Sequence, residues 1–234
     1  MQKEIEGIQK SLENGTAEEV LKWAFEKYGN RVAIASSFGA EDVVLIDLAV
    51  KIEPLVRVFT LDTGRLHQET YDVMDAIRER YGVAIETCFP DKERIKEVTE
   101  KHGWNLFYKS IDMRKLCCTV RKVEPLQAKL KELDAWICGL RQEQAVTRTA
   151  IKKIEFDRSN NLVKLNPLAS WTTEDVWEYI RKNNVPYNKL HDKGFPSIGC
   201  GPCTREVGPD QDIRAGRWWW EDPDKKECGL HCGK

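Results

Sequence analysis

The sequence predicts an α/β fold, a mostly parallel twisted sheet with helices on both faces and an irregular C-terminal extension. Two observations predict it. Short apolar runs of strand length alternate with amphipathic runs of helix length through the first half of the chain. Such alternation builds right-handed βαβ units whose helices cover both faces of a parallel sheet. Polar turns also follow the first two strand-like runs, where open α/β sheets take their ligands.

The elements follow in order. Val20-Leu21 with Trp23-Ala24-Phe25 gives an amphipathic helix, and Arg31-Val32-Ala33-Ile34-Ala35 a short buried strand. Residues 41–51 read as a strongly apolar helix, Leu55–Thr60 as a second strand and residues 66–81 as a polar helix with an apolar stripe. Val83–Thr87 is a third strand, residues 91–102 another helix and Ala135–Cys138 a fourth strand. The pattern then changes. Lys152–Asp157 and Leu162–Leu165 flank Arg158-Ser159-Asn160-Asn161, a turn or hairpin. Thr172, with Asp175 three residues on, caps a helix over residues 173–183. Past Pro186 the chain is rich in Gly, Pro, Lys and Arg and reads as irregular, and residues 221–227 read as a solvated linker. The expected organisation is one α/β domain, residues 1–220, and a flexible tail, residues 221–234, bearing a lone thiol.

With 234 residues the chain can bury one large core. Its net charge of −1 argues against a broad nucleic-acid footprint. No apolar run approaches membrane-spanning length, and the acidic Met1–Glu6 does not read as a signal peptide, so the expected location is cytoplasmic. In a reducing compartment the eight cysteines point to metal ligation or redox chemistry rather than disulfides.

Four of those cysteines form two tight pairs, Cys117-Cys118 and Cys200-Gly201-Pro202-Cys203. A Cys-x-x-Cys turn aims two thiolates at one centre, and a second pair completes a four-thiolate site for zinc or an iron–sulfur cluster. Adjacent cysteines diverge, which is awkward around one zinc ion and natural for a cluster whose irons sit at separate corners. Cys228 stands apart in the tail, where packing does not explain it; with cations near, it is the candidate nucleophile. Cys88 and Cys138, in or beside apolar strands, read as buried structural residues. His67, His102 and His191 are isolated and receive no catalytic role.

Ser36-Ser37-Phe38-Gly39-Ala40-Glu41-Asp42 links the first strand to a helix and offers backbone N–H groups and hydroxyls to a phosphate or sulfate. It lacks the lysine of a Walker A loop. An ordinary turn with a serine cap explains the same residues. Leu61-Asp62-Thr63-Gly64 ends the second strand, a second ligand position or simply the cap of the next helix. Lys122 lies one helical turn beyond Cys118, near a bound centre or merely on a helix surface. Arg214 and Arg217, three apart, can share an anion. Trp218-Trp219-Trp220 read as packing.

On these residues the chain resembles the assimilatory adenylyl-sulfate reductases, in the family shared with phosphoadenylyl-sulfate reductases. The likeness rests on Ser36–Asp42, Leu61–Gly64, Cys117-Cys118 with Arg121–Leu126, Gly139-Leu140-Arg141, Pro196–Cys203 and Glu227–His231. It implies a fold like the adenine nucleotide alpha hydrolases and a [4Fe–4S] cluster on Cys117, Cys118, Cys200 and Cys203. It implies substrate contacts from Ser36, Ser37, Gly39, Leu61, Thr63, Gly64, Lys122, Arg148, Arg214, Arg217 and His231, and catalysis by Cys228. The implied reaction reduces adenosine 5′-phosphosulfate to sulfite and AMP, with thioredoxin or a similar dithiol protein as partner and a homo-oligomeric assembly. Cys232-Gly233-Lys234 depart from the family's usual tail; Cys232 is either a thiol that competes with thioredoxin by attacking Cys228 or, the preferred reading, a spectator. The alternatives are a 3′-phosphoadenylyl-sulfate or dual-specificity reductase, an ATP pyrophosphatase-type thiolation enzyme, and a zinc-stabilised nucleotide-binding module.

Overall fold

The computed structural model describes residues 2–144 and 151–222. Its strands are β1 (Val32–Ala35), β2 (Val58–Leu61), β3 (Ile85–Cys88), β4 (Ala135–Ile137), β5 (Ile154–Asp157) and β6 (Leu162–Leu165). The helices are α1 (Gln2–Leu12), α2 (Ala17–Tyr28), α3 (Ala40–Val50), α4 (Gln68–Tyr81), α5 (Lys92–His102), α6 (Ile111–Cys118), α7 (Glu124–Leu130) and α8 (Thr173–Asn183). One sheet runs in the order β3-β2-β1-β4-β6-β5. β1 pairs in parallel with β2 and β4, and β4 in parallel with β6. β5 and β6 form the antiparallel hairpin about Arg158–Asn161. This is the α/β class that the alternation implied.

The described residues fall into two compact units. The first draws on Met1–Thr60, Asp72–Glu86 and Leu130–Asn188. Its core gathers Val20 and Leu21 of α2, Ile34 of β1, Val43–Ile46 of α3, Ile77 of α4, Ile137 of β4 and Leu165 of β6, none exposed to solvent. Each such side chain contributes about 1.5–3 kcal/mol relative to an exposed one. The helix ends are set locally. Thr16 and Glu19 close a capping box on α2, and Thr172 and Asp175 close one on α8. α8 stops at Asn184, whose left-handed φ of 50° ends the helical ladder, and Arg80 donates to the Asn183 and Asn184 carbonyls. Asp47 sits buried in α3. Burial alone would raise its pKa, but donors from Lys51, Tyr179 and Tyr81 at 2.6–2.7 Å outweigh that and hold it down.

The second unit draws on Leu61–Tyr71, Thr87–Lys129 and Lys189–Lys234. Its core is smaller: Val98, Leu106, Phe107, Val120 and Trp218 pack with Cys117, Cys118, Cys200 and Cys203.

Several elements differ from the sequence reading, among them β3, which begins at Ile85 rather than Val83. The second strand begins at Val58 rather than Leu55, because Glu53–Leu55 turns at Pro54 and leaves Leu55 exposed. α1 and the α6–α7 region were not anticipated. Cys88 is only half-buried, whereas Cys138 is buried as expected.

Candidate active site

The second unit brings the two cysteine pairs together. Ser110 caps α6 by accepting from the Met113 N–H at 3.2 Å, and the helix carries Cys117 and Cys118 in its last turn. A π-helical stretch, Thr119–Val123, then joins α6 to α7 and carries Arg121 and Lys122. Such wide turns recur at functional sites because the extra residue re-aims the side chains around it. The other pair spans one tight turn, with the Cys203 N–H donating to the Cys200 carbonyl at 2.9 Å. That turn is held on both sides: Gly201 N–H donates to the Arg65 carbonyl, and Trp218 N–H to the Cys203 carbonyl.

All four cysteines are buried and line one cavity. Phe107 and Trp218 form its apolar wall, and Arg65, Arg114, Arg121, Lys122 and Arg217 surround it with positive charge. The Thr63 hydroxyl lies 3.2 Å from the Cys200 Sγ, and Arg121 donates to the Thr63 carbonyl at 2.6 Å. Gly64, at φ 68°, takes the left-handed turn that lets this segment reverse, and its open side faces the Arg121 guanidinium. Arg217 lies across Gly199, where a Cβ would sit 2.7 Å from its guanidinium carbon, and it stacks on Trp218.

The thiols are electrostatically unequal. Burial alone would raise Cys200, but Lys122, the Thr63 hydroxyl and Arg217 bring it below its usual value. Burial raises Cys117, and burial together with the neighbouring sulfurs pushes Cys203 up to about 12. Four thiolates so close ionise together only around a cation. Among the described residues no three Cys, His, Asp or Glu side chains converge on a single ion-sized point. The Trp218 indole N–H is buried with no hydrogen-bond partner among the described residues.

In the first unit the Ser36–Asp42 segment leaves the carboxyl end of β1 as expected. Phe38 is fully buried at a φ of 58°, a conformation costly for an aromatic residue. Several of the loop's donors are engaged internally. Asp42 accepts from the Ser37 N–H at 2.6 Å and its hydroxyl at 2.8 Å, and the Ser36 hydroxyl accepts from the Phe38 N–H. Gly39 caps α3 without a side chain. Burial raises the Asp42 pKa to about 6, more than its hydrogen bonds to Ser37 lower it. Gly139 touches the same turn: a Cβ there would meet Asp42 Oδ1 at 2.5 Å and Glu41 Cβ at 2.9 Å. Arg141 is sealed against Glu41 and Glu143 and offers no free guanidinium to a ligand.

The candidates thus divide. Cys117, Cys118, Cys200, Cys203, Thr63, Gly64, Lys122 and Arg217 belong to the second unit, with Leu61 at its first residue. Ser36, Ser37 and Gly39 belong to the first unit. Arg214, half-buried in the second unit, is not among the residues lining the cavity. Arg148, Cys228, His231 and Cys232 lie outside the described residues. Arg65 and Arg114 line the cavity without having been anticipated. The signal for Arg114 was its spacing, three and four residues before Cys117 and Cys118 and so on the same helix face. Arg65 carried no comparable signal. The tryptophans divide too: Trp218 is packing, as read, while Trp219 is exposed.

The fold and the cavity define a class: an α/β protein with a buried four-cysteine site in a cationic pocket. Comparison with known proteins narrows it. Residues 31–206 match the phosphoadenosine phosphosulfate reductase domain, and the chain belongs to that family. An adenosine 5′-phosphosulfate reductase of Burkholderia cepacia is 48% identical over 202 residues, covering 86% of this chain and 81% of the relative. One from Pseudomonas aeruginosa is 46% identical over 236 residues, covering 98% and 87%. The crystal structure of phosphoadenylyl-sulfate (PAPS) reductase from Candida auris, a phosphate complex, aligns with a TM-score of 0.76 and 31% identity, over 88% of this chain and 98% of that one.

Proposed function

We propose that this chain reduces adenosine 5′-phosphosulfate to sulfite and AMP in assimilatory sulfate reduction. The observation that carries the reading is the convergence of Cys117, Cys118, Cys200 and Cys203 on one cationic cavity, in a chain of this family. The non-phosphorylated nucleotide is favoured over its 3′-phosphate because the relatives named for it are 46–48% identical, against 31% for the PAPS reductase.

The donor set fits a [4Fe–4S] cluster. A tetrahedral zinc with bonds of about 2.3 Å needs all its sulfurs about 3.8 Å apart, whereas a cluster spreads its thiolates over separate irons. Cys117, Cys118, Cys200 and Cys203 would hold it, and the buried Trp218 N–H would be available as a donor beside it. When bound, the cluster's core would supply the positive charge that keeps four thiolates ionised, and Lys122 and Arg217 would balance the net negative charge of the ligated centre.

In the proposed reaction the Cys228 thiolate attacks the sulfate sulfur. The new S–S bond forms as the S–O bond to AMP breaks, leaving S-sulfocysteine and AMP. Lys122, Arg148, Arg214, Arg217 and His231 neutralise the anionic groups, and Ser36, Ser37, Gly39, Leu61, Thr63 and Gly64 hold the nucleotide. A thiolate of thioredoxin, or of a similar dithiol protein, then attacks the Cys228 sulfur and expels sulfite. Its second thiol resolves the mixed disulfide, returns the Cys228 thiolate and supplies the last of the two electrons. Within residues 221–234, the arm beyond the anchored Glu221 presents Cys228 to each partner in turn and brings His231 with it, and residues 1–220 carry the other groups. We place the enzyme in the cytoplasm, as a homo-oligomer; among the described residues no helix is long and apolar enough to cross a membrane.

The test is direct. Protein incubated with adenosine 5′-phosphosulfate and no reductant gains one sulfonate by intact mass, and Cys228→Ser does not. Anaerobic protein carries iron and sulfide, and Cys203→Ser lowers both. An adduct that persists in Cys228→Ser, or an active protein free of iron, overturns the reading.

A further inference from the structure

An exposed aromatic surface lies beside the cysteine turn, in the same unit. Trp219 is 43% exposed and meets Trp220 edge-on, with ring centroids 5.5 Å apart. Trp220 meets Tyr108 at 4.5 Å, and the Tyr108 hydroxyl donates to the Pro202 carbonyl, between Cys200 and Cys203. Beyond Phe107, Arg65 stacks on the ring and donates to the carbonyl of Trp104, which is 68% exposed. Arg205 stacks on Trp219. Packing explains none of this exposure. Solvent-facing Trp and Tyr rimmed by Arg are the residue types that anchor protein interfaces.

We propose that this surface docks the dithiol protein that collects sulfur from Cys228. The proposal rests on the function above. Its geometry comes from the chain itself. Cys228 lies eight residues beyond Trp220 and nine beyond Trp219, so it stays within about 30 Å of both. A reductant must reach Cys228 inside that radius, and the aromatic surface is there. The arm itself does not suit the surface. Pro223–Lys234 offers only Pro223 and Leu230 as sizeable apolar side chains, too few to cover an aromatic surface of this extent. A partner presenting its reactive thiol from an apolar face with acidic residues around it complements both features.

Trp104→Ala and Trp219→Ala test this, since neither residue belongs to the cavity. Three quantities are read: adduct formation from adenosine 5′-phosphosulfate, sulfite release by dithiothreitol, and sulfite release by a thioredoxin. The expected result is that the first two match wild type while kcat/KM for thioredoxin falls about tenfold for each variant. Rates with thioredoxin equal to wild type in both variants overturn the proposal. A change in oligomeric state with unchanged thioredoxin kinetics overturns it in favour of a second copy of the chain as occupant. If wild-type protein never forms the adduct, the functional reading fails, and that outcome is distinct from the failure of the docking surface.

Discussion

Among the described residues, Arg114 and Glu221 form the most heavily buried ion pair of the second unit, with side chains 0% and 3% exposed, so the stretch read as a solvated linker over residues 221–227 is instead anchored at its first residue. The guanidinium donates to both carboxylate oxygens, at 3.0 and 2.7 Å, and lies 4.6 Å above the Trp218 ring. The pair ties the cysteine-bearing α6 to nearly the last described residue before the Cys228 arm. Burial decides its energetics. An exposed pair contributes under about 1 kcal/mol, because solvent screens it. Removing one partner here strips a buried charge of its main counter-charge, at a cost of about 3–5 kcal/mol. Removing both leaves none, and apolar replacements of similar size come within about 1–2 kcal/mol of wild type. Glu221→Gln and Arg114→Met are therefore each expected to lose about 3–5 kcal/mol, and Arg114→Met/Glu221→Met to recover most of it. The double-mutant cycle then gives a coupling of at least about 3 kcal/mol. Urea unfolding of anaerobic protein, with refolding checked, measures it, and iron content is recorded alongside. Single variants costing under about 1 kcal/mol, or a double variant whose loss is the sum of the singles, would refute the reasoning.

Three further outcomes follow from the same kind of geometry. Asp42 has its folded pKa raised from 3.8 to about 6, so the stability it contributes is full below its unfolded value and is lost as pH rises through about 6. Relative to Asp42→Asn, wild type should lose about 2 kcal/mol between pH 4 and 7, and a pH-independent difference rules this out. Gly139→Ala drives a Cβ into Asp42 and Glu41 and should cost about 1–3 kcal/mol while weakening nucleotide binding, measured by calorimetry; unchanged affinity would show that the Ser36–Asp42 turn does not hold the nucleotide. Gly199→Ala displaces the Arg217 guanidinium, which is pinned by Ser197, Ile198 and Trp218. Adduct formation should slow at least about tenfold, and a rate equal to wild type removes Arg217 from the site.

The sheet unit was legible because each element there obeys one period. α8 spans the residues its capping box announced, and the β5–β6 hairpin turns where Asn160-Asn161 said it would. α6 to α7 was not legible for a physical reason. The π-helical stretch inserts extra residues per turn, so the apolar phase slips between Cys118 and Glu124, and Pro125 reads as a breaker although it sits harmlessly in the first turn of α7. α1 is polar and glycine-bearing, with little apolar signal to read. The cysteine pairs were legible as types and spacing, since thiolate chemistry depends on both. Thr63 was not legible as a sulfur partner: its hydroxyl meets Cys200 only because two segments 137 residues apart fold together.

The remaining question for the site is which thiol does the chemistry, and burial narrows it. Sulfur transfer needs a thiolate that meets a nucleotide and then a whole protein. Cys117, Cys118, Cys200 and Cys203 face inward and share one cavity, so they can meet neither in turn. Cys138 is 2% exposed, and burial pushes its thiol far above the usual range, which removes its nucleophile. Among the described cysteines only Cys88, half-buried at the end of β3, retains access. It is the one described rival to the tail. Cys88→Ser should keep both adduct formation and thioredoxin-dependent turnover within about twofold of wild type, because the cysteine that carries sulfur must move between partners and a strand-end residue held in the backbone hydrogen bond to Asp62 does not. Loss of the adduct in Cys88→Ser, with iron content and visible absorbance equal to wild type, would transfer the catalytic role from the arm to the sheet edge.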